Sequence, residues 1–547
     1  MADPNPAPDI AWQSVKKLTL GWGSIDIRYK HNDVPELQRS LTLYAWKGER
    51  VSAQAIVLSP KGGTLTWEIS NLTNGKNIIK AQQIKRYFVR YVMTDAFKLK
   101  NGTGDCGARN KADYDSMLVA DRLDPALSLS VDAHTLRPLW LDIKVPASAT
   151  PGVYKGICTV HNNQSSASIP FKVVVCKYTL PEPKDWKFHL DLWQNPYAVA
   201  RYYGVPLWSK EHFDLMRPLM EELAQAGQKV ITCSIIQRPW NGQTEDPFES
   251  MIGKHKLFDG GWKYDYRVFD KWVQFMLDCG ITEQIDCYTL VPWHFKFEYF
   301  DELTNCTKIL ECKPGSTEYE AFLLPFLKDF AKHLKAKGWF EKTCIAMDER
   351  PMEMLRAAYN LLKKADPGFR VEGAANYYPE VEPKMYDLSV TYQHPLLDGD
   401  VLKARRESGK RVTFYTCCGP EKPNTFLCST PAESAFMGWH AMAAGYDGYL
   451  RWAYNSWVKQ PNQDARFRTW AGGDCFLNYP GGSSIRMQRL VQGIQDFEKI
   501  RILKPTLSKE KKDLLNQLLV KFRPNKFGDS DAAKMISEGE KTLRALE

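Results

Sequence analysis

The stretch KTCIAMDERP, Lys342–Pro351, decides how the rest of the chain is read. Its apolar run Cys344-Ile345-Ala346-Met347 reads as a short buried strand that ends abruptly in two adjacent carboxylates, Asp348 and Glu349. Amphipathic helical spacing lies on both sides, over 317–337 and 352–365. A strand set between two helices belongs to a parallel sheet, and the carboxyl end of such a strand is where α/β barrels keep their chemistry. The competing reading is a strand-end Asp and Glu that cap the next helix or pair with Arg350.

Outward from this strand the same grammar repeats. Strands are predicted at Phe188–Leu192, Lys229–Ile236, Gln284–Val291, Thr343–Met347, Arg370–Ala375, Leu388–Tyr392, Arg411–Thr416 and Gly448–Trp452. Helices are predicted at 210–226, 266–279, 317–337, 352–365, 397–408 and 431–444. Eight strands with helices between most of them predict a (β/α)8 TIM-type barrel over 184–480, with the acidic pair at the end of strand four. The barrel is expected to be irregular after strand five, where PEVEPKMYD is too short and Pro-rich for a full helix.

Before the barrel, a tail over 1–14 leads into short alternating segments broken by turn signals over 15–183, which predict an antiparallel β-sandwich. Pro146, Pro151 and Gly152 mark the turn before a hairpin of 153–161 with 167–179, and Pro181-Glu182-Pro183 reads as the linker. GTGDCG, Gly102–Gly107, matches a dinucleotide fingerprint literally but lacks the flanking βαβ pattern, so it reads as a loop. From 481 to 547 the chain reads helical, with Ile485, Leu490, Ile494 and Phe497 at helical spacing. This segment is expected to pack on barrel or sandwich with its basic residues solvated. The fold class is therefore multidomain α/β plus all-β: sandwich, irregular barrel, C-terminal helical segment.

At 547 residues the chain exceeds one ordinary core. The net charge of +9 is spread over 73 basic and 64 acidic residues, and the densest basic cluster, Lys509–Lys512, is interrupted by Glu510, so nucleic acid is not implied. No apolar run is long enough to span a bilayer. Most cysteines, such as Cys158, Cys176, Cys233 and Cys287, sit singly in apolar strands. Only Cys306/Cys312 and Cys417-Cys418 look like bridging candidates. None has zinc-ligand spacing, and neither metal nor cofactor is expected.

The other strand ends carry aromatic and amide residues: Trp193 after strand one; Trp293 and His294 after three; Asn376 after five; Tyr392, Gln393 and His394 at six; Tyr415 at seven; Trp452, Tyr454, Asn455 and Trp457 at eight. Flat walls and amide groups around a carboxylate pair suit a sugar subsite. His394 reads equally as a packed, hydrogen-bonded residue. Glycosidases normally place two carboxylates on opposite sides of the anomeric carbon. Adjacent ones suit substrate assistance instead: the sugar's 2-acetamido oxygen attacks C1, Glu349 acts as general acid and then base, and Asp348 accepts the acetamido N–H and stabilises the positive intermediate.

With MDERP (347–351), YQHP (392–395), TFYTCCGP (413–420), YLRWAYNSW (449–457) and GGSSIRMQRLVQGIQDFEKIRIL (481–503), the barrel and C-terminal region resemble glycoside hydrolase family 123, the retaining β-N-acetylgalactosaminidases. The resemblance implies a β-sandwich before the barrel, Asp348 as the acetamido-orienting residue and Glu349 as acid/base. In such mechanisms a Tyr hydroxyl steadies the acetamido carbonyl, for which Tyr415 and Tyr392 are the nominees. Val491–Glu498 departs from the RDGIEDYE pattern common in the wider group, so that helix is given no site role. The implied activity is exo-hydrolysis of terminal β-linked GalNAc on glycans or glycolipids, without nucleic-acid partner or membrane span. A β-N-acetylglucosaminidase and a non-catalytic glycan-binding barrel are the alternatives. The N-terminus MADPNPAPDIAWQ shows no export signal, and the expected setting is an exported bacterial protein without its leader.

Overall fold

The computed structural model describes residues 9–97, 114–163, 165–468, 470–525, 527–528 and 530–547. GTGDCG and the first eight residues lie outside them. The described chain falls into two compact units, one of Met1–Trp186, Cys418–His440 and Gln460–Glu547, the other of Lys187–Cys417 and Ala441–Lys459.

In the first unit, period-two patterns become paired strands. Gly152–Asn162 turns Tyr154, Cys158 and Val160 inward and Val153, Lys155 and Ile157 outward, as alternation requires. It pairs antiparallel with Ser165–Thr179 from Gly152↔Val175 to Asn162↔Ser165, the hairpin read from the sequence. That strand lies in a seven-stranded sheet, and a six-stranded sheet completes the sandwich. Among the described strands of these two sheets the pairing is antiparallel except for Ser165–Thr179 with Leu41–Lys47, which is parallel. Side chains such as Trp67, Phe88, Leu141 and Phe171 fill the core.

The C-terminal helices are Ile485–Leu503, Lys509–Val520 and Ala532–Leu546. The expectation of solvated basic residues fails on the first of them. Arg486 and Arg489 are fully buried and pair with Asp121 (2.9 Å) and Asp26 (2.8 Å). A buried guanidinium persists where a carboxylate meets it, and those carboxylates come from the sandwich sequence.

In the second unit, eight parallel strands form one sheet: β1 His189–Leu192, β2 Val230–Ser234, β3 Gln284–Tyr288, β4 Thr343–Met347, β5 Arg370–Ala374, β6 Asp387–Thr391, β7 Arg411–Tyr415 and β8 Gly448–Arg451. Each lies within a few residues of its predicted span. The helices α1 Pro196–Tyr203, α2 Lys210–Ala224, α3 Arg267–Asp278, α4 Thr317–Lys337, α5 Met352–Ala365 and α6 Gly399–Glu407 follow the same alternation, with only α1 unforeseen. Between β5 and β6 stands a single 3-10 turn, Glu382–Lys384. Gly448 lets β8 approach β1, since a Cβ there would fall 1.9 Å from the carbonyl oxygen of His189.

The sheet nearly closes between β1 and β2, and two glutamines complete the ladder. Gln228 accepts from Leu192 N (3.0 Å) and donates to Leu192 O (3.2 Å) and Val230 O (2.8 Å). Gln194 accepts from Thr232 N at 2.9 Å and donates to Val230 O at 3.2 Å. A second, unforeseen sheet grows from the loops after β2 and β3: Gly253–Lys256, Trp262–Asp265, Lys296–Asp301 and Cys306–Glu311. Neither bridging candidate forms: Cys306 and Cys312 are free, and Cys418 is disulfide-bonded while Cys417 keeps its thiol.

Candidate active site

All five residues of β4 are buried, and the chain leaves the sheet at Asp348 before α5 begins at Met352. Pro351 stands at the helix N-cap with no side-chain cap, so neither carboxylate serves α5 in that way. Arg350 does not pair with them either. Its guanidinium carbon lies 4.6 Å from the ring centre of Trp293 and 5.2 Å from that of Phe295. The competing structural readings of the acidic pair therefore lose both of their partners.

Each carboxylate instead has its own donor. Trp293 Nε1 donates to Asp348 Oδ2 at 2.7 Å, and the amide of Glu349 donates to Asp348 Oδ1 at 2.8 Å. The hydroxyl of Tyr415, at the end of β7, donates to Glu349 Oε1. Burial pushes the Asp348 carboxyl up to about 6; the Trp293 bond opposes this and the charge of Glu349 adds to it. Burial and the Glu349 charge raise Tyr415, which keeps its proton and remains a donor. Both carboxylates are half-buried.

Below the pair the barrel interior is polar. Asp191, Asp286 and Glu372 are pushed well up by burial first and then by neighbouring carboxylates, Asp387 acting on all three. Asp387 is held down to about 2, against its own burial, by His189 at 2.9 Å and by Arg411. Trp193 is buried over this layer, donating to Asp191 Oδ2 (3.2 Å), stacked on Trp240 (4.9 Å) and tilted against Tyr288 (4.5 Å).

The remaining nominees divide. Trp452 is half-buried, and Asn376 and Gln393 are exposed. Tyr392 is buried, its ring 6.2 Å from Phe414 and its amide bonded to Tyr415 O at 2.9 Å. His394 is packed, 2.6 Å from Pro395 O and with its ring 5.1 Å from Tyr377. His294 accepts from Lys296 N at 3.0 Å and lines a cavity of about 560 Å³ with Gln237, Arg238, Asn241 and Glu298, whose wall does not include the acidic pair.

For Tyr454, Asn455 and Trp457 the structure corrects the expectation of binding residues, since all three are buried in the barrel wall. Tyr454 donates to Leu219 O (3.0 Å), and Asn455 holds both N and O of Asn195 at 2.9 Å. The Trp457 ring packs 5.5 Å from that of Tyr202. In the sequence Trp293 stands out only as one more strand-end aromatic beside His294, with no sign of its bond to Asp348, and Arg350 only as an ion-pair partner. The signal for Trp293 was its place in the loop after β3, next to β4 in the sheet.

Among the described residues, no group of His, Cys, Asp and Glu is arranged to hold a metal ion, and no helix is long and apolar enough to cross a membrane.

Residues 193–503 match the family model described as glycoside hydrolase 123, catalytic domain, and residues 22–162 match glycoside hydrolase 123 N-terminal domain. Among solved structures, the chain is similar to a family 123 glycoside hydrolase from Clostridium perfringens, described for glycolipid glycan hydrolysis. Identity is 27% over 97% of this chain and 98% of that one, with a TM-score of 0.87. A putative α-galactosidase/melibiase from Bacteroides fragilis shares 11% identity over 84% of this chain and 77% of that one, at a TM-score of 0.28, too remote to carry an argument. No curated protein matches. Since the catalytic-domain match spans more than half of the chain and contains the whole barrel from α1 onward, the acidic pair at the end of β4 included, this chain belongs to glycoside hydrolase family 123 and is a glycosidase.

Proposed function

We propose that the protein is an exo-β-N-acetylgalactosaminidase that releases terminal β-linked GalNAc from glycans or glycolipids, with retention, through the substrate's own acetamido group. The observation that carries this reading is the adjacency of Asp348 and Glu349, each engaged by a different donor and neither used to cap α5 or to pair with Arg350. Two neighbours on one strand end are poorly placed to straddle the anomeric carbon, which favours a nucleophile supplied by the substrate. The C. perfringens relative's description in terms of glycolipid glycans supports the substrate class.

In the first step the acetamido oxygen bonds to C1 as the glycosidic C–O bond breaks, and Glu349 gives its proton to the leaving oxygen. Asp348 accepts the acetamido N–H and faces the positive charge of the oxazolinium. In the second step water attacks C1 while Glu349 takes its proton, and the acetamido group is restored with the original configuration. Tyr415 donates to Glu349 most strongly when Glu349 is anionic, after the proton has left.

The test compares hydrolysis of the β-GalNAc, β-GlcNAc and plain β-galactoside nitrophenyl glycosides, with the anomer of the first-formed product read by proton NMR. Release from the β-GalNAc glycoside with a β-configured product is expected. Comparable turnover of the plain galactoside would sink substrate assistance, because that sugar has no acetamido nucleophile.

A further inference from the structure

Trp293 and Arg350 have no place in the chemistry just described, yet both are built around Asp348. The carboxylate is gripped at both oxygens, Oδ1 by the amide of its neighbour and Oδ2 by the indole N–H, which fixes the orientation of its plane. Trp293 is more than a third exposed, at 37%, so its own burial does not hold it there. Against its ring lies Arg350, 7% exposed, whose guanidinium carbon is 4.6 Å from the ring centre of Trp293 and 5.2 Å from that of Phe295.

The unusual feature is what Arg350 does not do. Its Nε is buried without a hydrogen-bond partner, its Nη2 reaches only Met354 Sδ at 4.0 Å, and among the described residues it forms no ion pair. A carboxylate is the ordinary partner of a buried guanidinium, and Asp348 is two residues away in the chain. A cation bonded directly to Asp348 would neutralise the charge that has to face an oxazolinium and would compete with the acetamido N–H for its lone pairs. A neutral N–H aligns the carboxylate and leaves its charge in place.

We propose that Trp293 and Arg350 are positioning residues for Asp348: the indole N–H sets the carboxylate plane, and the stacked guanidinium clamps the indole while being kept off the carboxylate. The proposal rests on the role given to Asp348 above. The titratable and charged groups facing Asp348 are Glu349, Arg350, Tyr288 and Tyr415, and none is altered when only the indole N–H is removed.

The experiment uses the full chain with Trp293→Phe, which keeps a ring and deletes the donor, and Arg350→Lys, which keeps the charge and deletes the planar stack. Two readouts are taken: the pH profile of kcat and KM on the aryl β-GalNAc glycoside, and a carbon-13 NMR titration of the side-chain carboxyls, with the Asp348 signal identified by its loss in Asp348→Asn. For Trp293→Phe the acidic limb and the Asp348 titration should both move up by about one pH unit, with kcat down about tenfold and KM changed less than about twofold. Arg350→Lys should lower kcat similarly, because charge alone does not hold the indole. A Trp293→Phe enzyme with the wild-type limb and kcat would overturn the clamp, as would full activity in Arg350→Lys. If the wild type cleaves no acetamido glycoside, the functional reading fails on its own, and the clamp is still decided by the NMR titration: an unmoved Asp348 signal in Trp293→Phe refutes it.

Discussion

Replacing Tyr415 by Phe isolates one bond at the centre of the site. The hydroxyl donates to Glu349 Oε1 and is itself buried, so deletion leaves the ring in place and removes only the donor. A hydrogen bond to a charged partner contributes about 1.5–3 kcal/mol. The bond is strongest once Glu349 has passed its proton to the leaving oxygen, so most of that energy acts on the transition state and not on bound substrate. At about 1.4 kcal/mol per factor of ten, kcat should fall by about ten- to a hundredfold with KM nearly unchanged. The assay is a series of aryl β-GalNAc glycosides with leaving groups from nitrophenol to unsubstituted phenol. Good leaving groups need little protonation, so the loss should be small for nitrophenol and grow along the series. Equal rates for wild type and Tyr415→Phe across the series would refute the assignment of this bond to the proton-transfer step. An equal loss for every leaving group would place Tyr415 with Asp348 and the acetamido group instead.

The carboxylates themselves should separate in the same series: Glu349→Gln should slow poor leaving groups most, Asp348→Asn should slow all of them, each by about a hundredfold or more, and wild-type rates in both variants would put the site elsewhere. Because Asp348 must be ionised to accept an N–H and its carboxyl is pushed up to about 6, activity should be present above that pH and fall about tenfold per unit below it. A profile flat from pH 7 to 4.5 would contradict this assignment. Gln228→Leu should cost about 2–4 kcal/mol in urea unfolding, since Leu192 N, Leu192 O and Val230 O lose the partner that carries the ladder across from β1 to β2. An unfolding midpoint unchanged by that substitution would mean that water replaces the glutamine.

Much of the molecule is legible in local pattern. The strand spans, the long helices, the short turn between β5 and β6 and the hairpin over 152–179 follow from hydrophobic period, from Pro and Gly, and from element length, all properties of neighbours in the chain. Asp348 and Glu349 could be singled out because a strand end and an adjacency are visible in one line of text. The four-stranded sheet was missed for the complementary reason. Its pieces, such as GKHK and WKYD, are short and polar, and it is held together by pairings such as His255↔Phe300 that no window contains.

The same limit governs the site. YLRWAYNSW looked like a binding wall because aromatic and amide residues are seen without their exposure, whereas Tyr454, Asn455 and Trp457 spend their groups inside the barrel. Arg486 and Arg489 looked solvated because their carboxylates lie hundreds of residues away. By itself the sequence determined which segments are strands and helices, where the acidic pair sits, and through its motifs the family. Only the tertiary structure decided who bonds to that pair, Trp293 across 55 residues and Tyr415 across 66, and that Arg350 stacks instead of pairing. Periodicity is written along the chain, while a buried polar group takes whichever partner the fold brings within about 3 Å.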